Sequence, residues 1–111
     1  MKTWITPEEA ITAIREGRGR GVKIAILDSG VEATHPALGG LELLDDIAVV
    51  EDGMKLKVVP GGGRDLFGHG TAVAGIIRET APEAEIGSIR VLGESLSART
   101  AIILEGARQA I

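Results

Sequence analysis

A chain of 111 residues with a formal charge of -4, from 12 basic and 16 acidic side chains, has room for one domain. Hydrophobic residues make up 44% and charged residues 25%, which excludes a disordered tail, and no basic stripe is present to hold nucleic acid. Zero cysteines exclude a disulfide scaffold, a thiolate zinc site and a cysteine nucleophile.

Surface scaling predicts roughly 5,800 Å² of accessible area once folded, against roughly 16,700 Å² unfolded. Trp4 and Phe67 are the only aromatics, so the core must come from Ile, Leu, Val and Ala. That mixture suits parallel strands packed against helices. The first residues carry Glu8 and Glu9 and no apolar run, and no stretch nears about 18 uninterrupted apolar residues, so the expectation is a cytoplasmic chain with no membrane partner.

Thr6-Pro7-Glu8-Glu9 predicts a helix start: Thr6 caps, Pro7 takes the first helical position and Glu9 completes a capping box. Ile11 and Ile14 give its apolar stripe and Gly17 ends it. Arg18 and Arg20 lie in a connector and read as solvated, because no Gly-Lys-Ser/Thr follows them. Val22 to Leu27 reads as a buried strand. Residues 31 to 42 form a loop through His35-Pro36 and Gly39-Gly40. Ile47–Val50 and Leu56–Val59 predict a hairpin around Glu51-Asp52-Gly53. Small and apolar residues from His69 to Thr80 predict a tightly packed helix, closed near Pro82. Glu85 to Leu92 predicts another strand, and Ser97 the cap of a last helix with Ile102, Ile103 and Ala107 on its apolar side. Two buried strands separated by a helix imply a right-handed crossover and a parallel sheet, an α/β fold.

Two residues interrupt this apolar plan. Asp28 closes an apolar strand, and ligands of open α/β sheets bind beyond strand carboxyl ends. Taken alone it is a turn or capping residue. His69 lies between Gly68 and Gly70 at the start of the small-residue helix, where an imidazole buried without a partner would cost about 1–3 kcal/mol. Taken alone it is a structural histidine. Together they suggest more, because an Asp that orients a His is two-thirds of a nucleophilic triad.

Gly21-Val22-Lys23-Ile24-Ala25-Ile26-Leu27-Asp28-Ser29-Gly30-Val31, followed by His35-Pro36, resembles the catalytic-aspartate segment of the subtilisin family. Gly68-His69-Gly70-Thr71-Ala72-Val73-Ala74-Gly75-Ile76 resembles its catalytic-histidine segment. The resemblance runs on through Ala81-Pro82, Ile89 to Gly93 and Glu105 to Ile111. It implies a three-layer sheet with helices on both faces, incomplete in this chain, with residues 1–111 forming the amino-terminal portion of a peptidase domain. It also implies that Asp28 orients the imidazole, that His69 is the general base, and that the substrate is a peptide or protein.

Three departures from the family pattern follow. The Gly-Thr-Ser-Met-Ala nucleophile stretch and the oxyanion Asn are absent, and Ser29, Thr34, Thr71, Ser88 and Ser95 sit in no nucleophile elbow. The chain alone is therefore expected to be inactive, with Ser29 structural. The substrate wall, a Gly-Ser-Gly strand in many relatives, falls on Leu96, Ser97 and Ala98. Ala37 replaces the Asp that binds calcium in several relatives, so no metal or cofactor is implied, and His35 reads as a structural loop residue.

An incomplete parallel sheet leaves an open apolar edge, which predicts a complementary carboxy-terminal segment or self-association. The alternative function is a non-catalytic half-domain used for oligomerisation or for holding a peptide. A nucleotide-binding reading fails because Gly61-Gly62-Gly63-Arg64 has no strand-to-helix phosphate pattern.

Overall fold

The computed structural model describes residues 4–93 and 97–111. Helix α1 (Pro7–Glu16) starts on the predicted capping box. The Thr6 hydroxyl accepts from the Glu9 N–H at 3.1 Å, and the Glu9 carboxylate accepts from the Thr6 N–H at 2.8 Å. Gly17 closes it. The apolar stripe finds no cover: Ile11 and Ile14 are exposed, and no residue of α1 is buried. Arg18 and Arg20 are exposed, as expected, yet both pair with Glu83, at 3.0 and 2.9 Å.

The chain continues through β1 (Lys23–Asp28), a one-turn 3₁₀ helix (Pro36–Leu38), β2 (Asp46–Asp52), β3 (Lys55–Pro60), α2 (His69–Thr80), β4 (Glu85–Arg90) and α3 (Thr100–Ala110). The strands form one sheet in the order β1-β4-β2-β3 among the described residues. β4 runs parallel to β1, from Lys23–Glu85 to Asp28–Arg90, and parallel to β2. β3 is the antiparallel edge, joined to β2 through the two-residue turn Gly53-Met54, with Gly53 at φ +65°. The predicted hairpin is present and its strands are longer than expected at both ends.

Alternate residues of the sheet face opposite layers, as the pleat requires. Ile24, Ile26 and Ile86 pack with Val31, Leu38, Leu41 and Ala74 on the α2 face. Leu27, Ile47, Val49, Ile89 and Val91 pack with Ile102 on the α3 face. Helices therefore cover both faces, the expected three-layer α/β arrangement. β1 departs from the expected fully buried strand: Ala25 is exposed and Leu27 half-buried, because β4 is its only strand neighbour among the described residues.

Two boundaries differ from the sequence reading. β4 ends at Arg90 rather than Leu92, because the N–H groups of Val91 and Leu92 both converge on the Asp28 carbonyl, at 2.9 and 3.2 Å, and break the ladder. α3 begins at Thr100, with Arg99 at the cap position, so Ser97 is not its cap. The Gly93 N–H donates to the Ser97 carbonyl at 3.0 Å, and Ser97 lies two residues before the cap position.

The seat of α3 also differs. Ile103 and Ala107 are exposed, while Ile102 and the buried Gly106, one turn apart, meet the sheet. A Cβ on Gly106 would lie 2.6 Å from Val91 Cγ1, so only glycine allows this approach.

The accessible surface is 7754 Å², well above the roughly 5,800 Å² that scaling predicts for a compact chain of this mass. Ile11, Ile14, Leu56, Val58, Ile103 and Leu104 contribute exposed apolar area. No helix among the described residues is long and apolar enough to cross a membrane.

Candidate active site

The end of β1 and the start of α2 meet at the carboxyl edge of the sheet. Asp28 is buried, its side chain 11% exposed, and its Oδ2 lies 2.7 Å from His69 Nδ1. Its other oxygen, Oδ1, accepts from the Ser29 N–H at 2.6 Å. A carboxylate only accepts, so Nδ1 carries the hydrogen, and in the neutral ring Nε2 keeps its lone pair. The His69 side chain is 60% exposed. The desolvation cost expected for a buried imidazole therefore does not apply, and the ring is held by its carboxylate partner rather than by burial.

Close backbone contact makes this meeting tight. Gly30 has φ +106°, and a Cβ there would strike the Arg64 carbonyl oxygen. A Cβ on Gly70 would strike the Gly30 carbonyl oxygen. Three segments, 28–32, 64–68 and the first turn of α2, cross at distances only glycine permits.

Asp65, which the sequence reading passed over, joins all three. Its Oδ1 accepts from the Ser29 hydroxyl at 2.7 Å and from the N–H groups of Phe67 and Gly68 at 3.1 and 2.8 Å. Its Oδ2 accepts from the N–H and hydroxyl of Thr71 at 2.8 and 2.5 Å. The signal was present, since an Asp just before a helix start is a capping residue. Here Gly68 occupies the cap position at φ +85°, without a side chain to do that work, and Asp65 reaches in from three residues upstream.

Burial pushes the Asp65 carboxyl up, but the hydrogen bonds from Thr71 and Ser29 together outweigh it and hold the group well below the usual carboxylate range. A depressed folded-state value means the bonus is complete above the unfolded carboxylate's value near ~3.9 and fades as pH falls through the folded one. We expect the urea midpoint of the chain to drop as pH is lowered from about 4 to about 2, with a shallower drop in Asp65→Asn. Identical slopes in the two proteins would contradict the assignment.

The remaining sequence candidates are also placed. Ser29 is fully buried; its hydroxyl donates to Asp65 and accepts from the Gly70 N–H at 3.1 Å, a structural position. His35 caps the 3₁₀ helix, its Nδ1 accepting from the Ala37 N–H at 3.1 Å. Leu96 lies outside the described residues. Ser97 is exposed and Ala98 half-buried, in the segment between β4 and α3. A groove of about 720 Å³ runs along α2, lined by residues including Glu32, His35, Asp65 and Ile76, but neither Asp28 nor His69 lines it.

Comparison with known proteins gives the chain a family. Residues 19–111 match the model of the subtilase family, described as peptidase S8. The chain belongs to the subtilase family. Subtilase relatives include the intracellular serine protease of Paenibacillus polymyxa, 39% identical over 108 residues, covering 85% of this chain and 30% of the relative. Thermitase of Thermoactinomyces vulgaris is 34% identical over 103 residues, covering 79% of this chain and 32% of its own length. Subtilisin Savinase of Lederbergia lenta is 35% identical over 100 residues, with coverage of 79% and 32%. The chain thus spans about a third of the length of these subtilases.

Proposed function

We propose that this chain is the amino-terminal part of a subtilisin-like serine endopeptidase, with Asp28 and His69 as two members of its triad. The observation that carries the reading is the 2.7 Å contact between Asp28 Oδ2 and His69 Nδ1 at the carboxyl edge of a parallel sheet. With Nδ1–H held by Asp28, Nε2 takes the proton of an attacking serine hydroxyl and later returns it to the departing amine. No Gly-Thr-Ser-Met-Ala stretch occurs in these residues, so the serine and the oxyanion Asn come from a complementary carboxy-terminal segment. The exposed apolar residues of α1 and α3, and β1 at the sheet edge, support such a partner.

The substrate is a peptide or protein, a reading supported by the protease names of the relatives. Its wall falls on Leu96, Ser97 and Ala98, the positions that the resemblance aligns with the substrate-pairing strand of the family.

A serine-directed phosphonate tests the reading. The 111-residue chain alone is expected to stay unlabelled and to leave an unfolded protein uncut. The chain joined to its complementary segment is expected to take up one phosphonate and to cleave. A joined protein that does neither, with the chain sedimenting as a stable oligomer, would replace this reading with that of an oligomerisation module.

A further inference from the structure

We propose that Asp65 is the positioning residue of the Asp28–His69 pair, the single acceptor that sets the direction of two hydroxyl cross-links between the strand end and the helix start. The inference rests on the reading above, in which that pair does the chemistry.

The cross-links are reciprocal. Ser29, which follows Asp28, accepts from the N–H of Gly70, which follows His69, at 3.1 Å. Thr71, on the helix side, accepts from the N–H of Glu32, on the strand side, at 3.0 Å. A hydroxyl has one hydrogen, and its orientation decides whether a lone pair faces an incoming N–H. Both hydroxyls spend that hydrogen on Asp65, Ser29 on Oδ1 and Thr71 on Oδ2. Each is thereby committed to accept from the opposite segment. The same carboxylate takes the N–H groups of Phe67 and Gly68, immediately before His69. Asp65 touches neither Asp28 nor His69 among its hydrogen-bond partners; it acts through the backbone on which each is mounted.

The isosteric change Asp65→Asn separates acceptor chemistry from space. All five hydrogen bonds at Asp65 need an acceptor, and an amide presents its NH₂ to one side. One hydroxyl must then turn to accept from the NH₂, and its cross-link is weakened.

The readout is the Nδ1–H proton of His69 in the 111-residue chain, followed by NMR exchange with water. His35 is the internal control, because its Nδ1 accepts from Ala37 and has no bond to Asp65. In Asp65→Asn the His69 proton is expected to exchange about tenfold faster, the equivalent of one hydrogen bond, with the His35 ring unchanged. Ser29→Ala and Thr71→Val should each move it in the same direction, and Ser29→Ala in the Asp65→Asn background should add less than it does alone.

A folded Asp65→Asn chain with unchanged His69 exchange would overturn the proposal. Should that variant fail to fold, unchanged exchange in both Ser29→Ala and Thr71→Val would overturn it instead. Asp28→Asn tells the two failures apart. If it leaves the His69 Nδ1–H signal as before, the pair itself is wrong; if it abolishes the signal while Asp65→Asn has no effect, only the role of Asp65 falls.

Discussion

If Asp28 and His69 act as proposed, Asp28→Asn is expected to keep the fold and to lower kcat/KM of the completed protein about 10⁴-fold, the loss typical of a serine-peptidase triad whose aspartate becomes an amide. The geometry supplies the reason. Oδ1 must go on accepting from the Ser29 N–H, at 2.6 Å, inside a buried site. The amide nitrogen then occupies the Oδ2 position, 2.7 Å from His69 Nδ1. Two N–H groups cannot face each other there, so Nδ1 becomes the acceptor and the ring hydrogen moves to Nε2. In the proposed mechanism, the nitrogen that takes the serine proton then already holds one. Steady-state kinetics beside a thermal melt would check this, and activity within tenfold of the parent would contradict it.

Gly30→Ala is expected to cost about 3 kcal/mol or more of folding stability. Two penalties add. A non-glycine residue at φ +106° carries strain of about 1–3 kcal/mol. The added methyl would also strike the Arg64 carbonyl oxygen and crowd Asp65 Cα at 3.2 Å, an overpacking cost of about 1–3 kcal/mol. Gly62→Ala separates the two: Gly62 has φ +69°, but nothing lies within 4 Å of its Cβ position. It carries backbone strain alone. Denaturant midpoints of the two variants should differ clearly, and equal losses would mean that the crossing of segments 28–32 and 64–68 is not packed as described.

Much of this could be read from residue order because local rules and tertiary packing agree. The Thr6–Glu9 capping box sets the start of α1, and His69 to Thr80 bounds α2 as predicted. Asp28 and His69 were legible as a pair because each breaks an apolar pattern at an element end. The apolar stripe of α1 was legible too, but periodicity tells which face is apolar and not what covers it.

The failures have physical causes. Ser97 has a good capping side chain, yet its carbonyl accepts from the Gly93 N–H and α3 begins only at Thr100, with Arg99 at the cap position. Gly106 is a poor helix former by propensity, and only the close approach of Val91 explains its place. Asp65 was missed because it lies three residues before the cap position that Gly68 occupies: four of its five hydrogen bonds come from Phe67, Gly68 and Thr71 just downstream, and only the bond from Ser29, 36 residues away, ties it to the strand side of the site.

Nitrogen-15 NMR of the two imidazoles in the unmodified chain tests the account most directly. At a pH where both rings are neutral, His69 should show the Nδ1–H tautomer, because Asp28 can only accept, and His35 the opposite one, because its Nδ1 accepts from Ala37. Asp28→Asn should then move His69 alone to the Nε2–H form. A His69 ring that carries its hydrogen on Nε2 in the parent chain, or that ignores the substitution, would contradict the pairing from which the proposed mechanism is built.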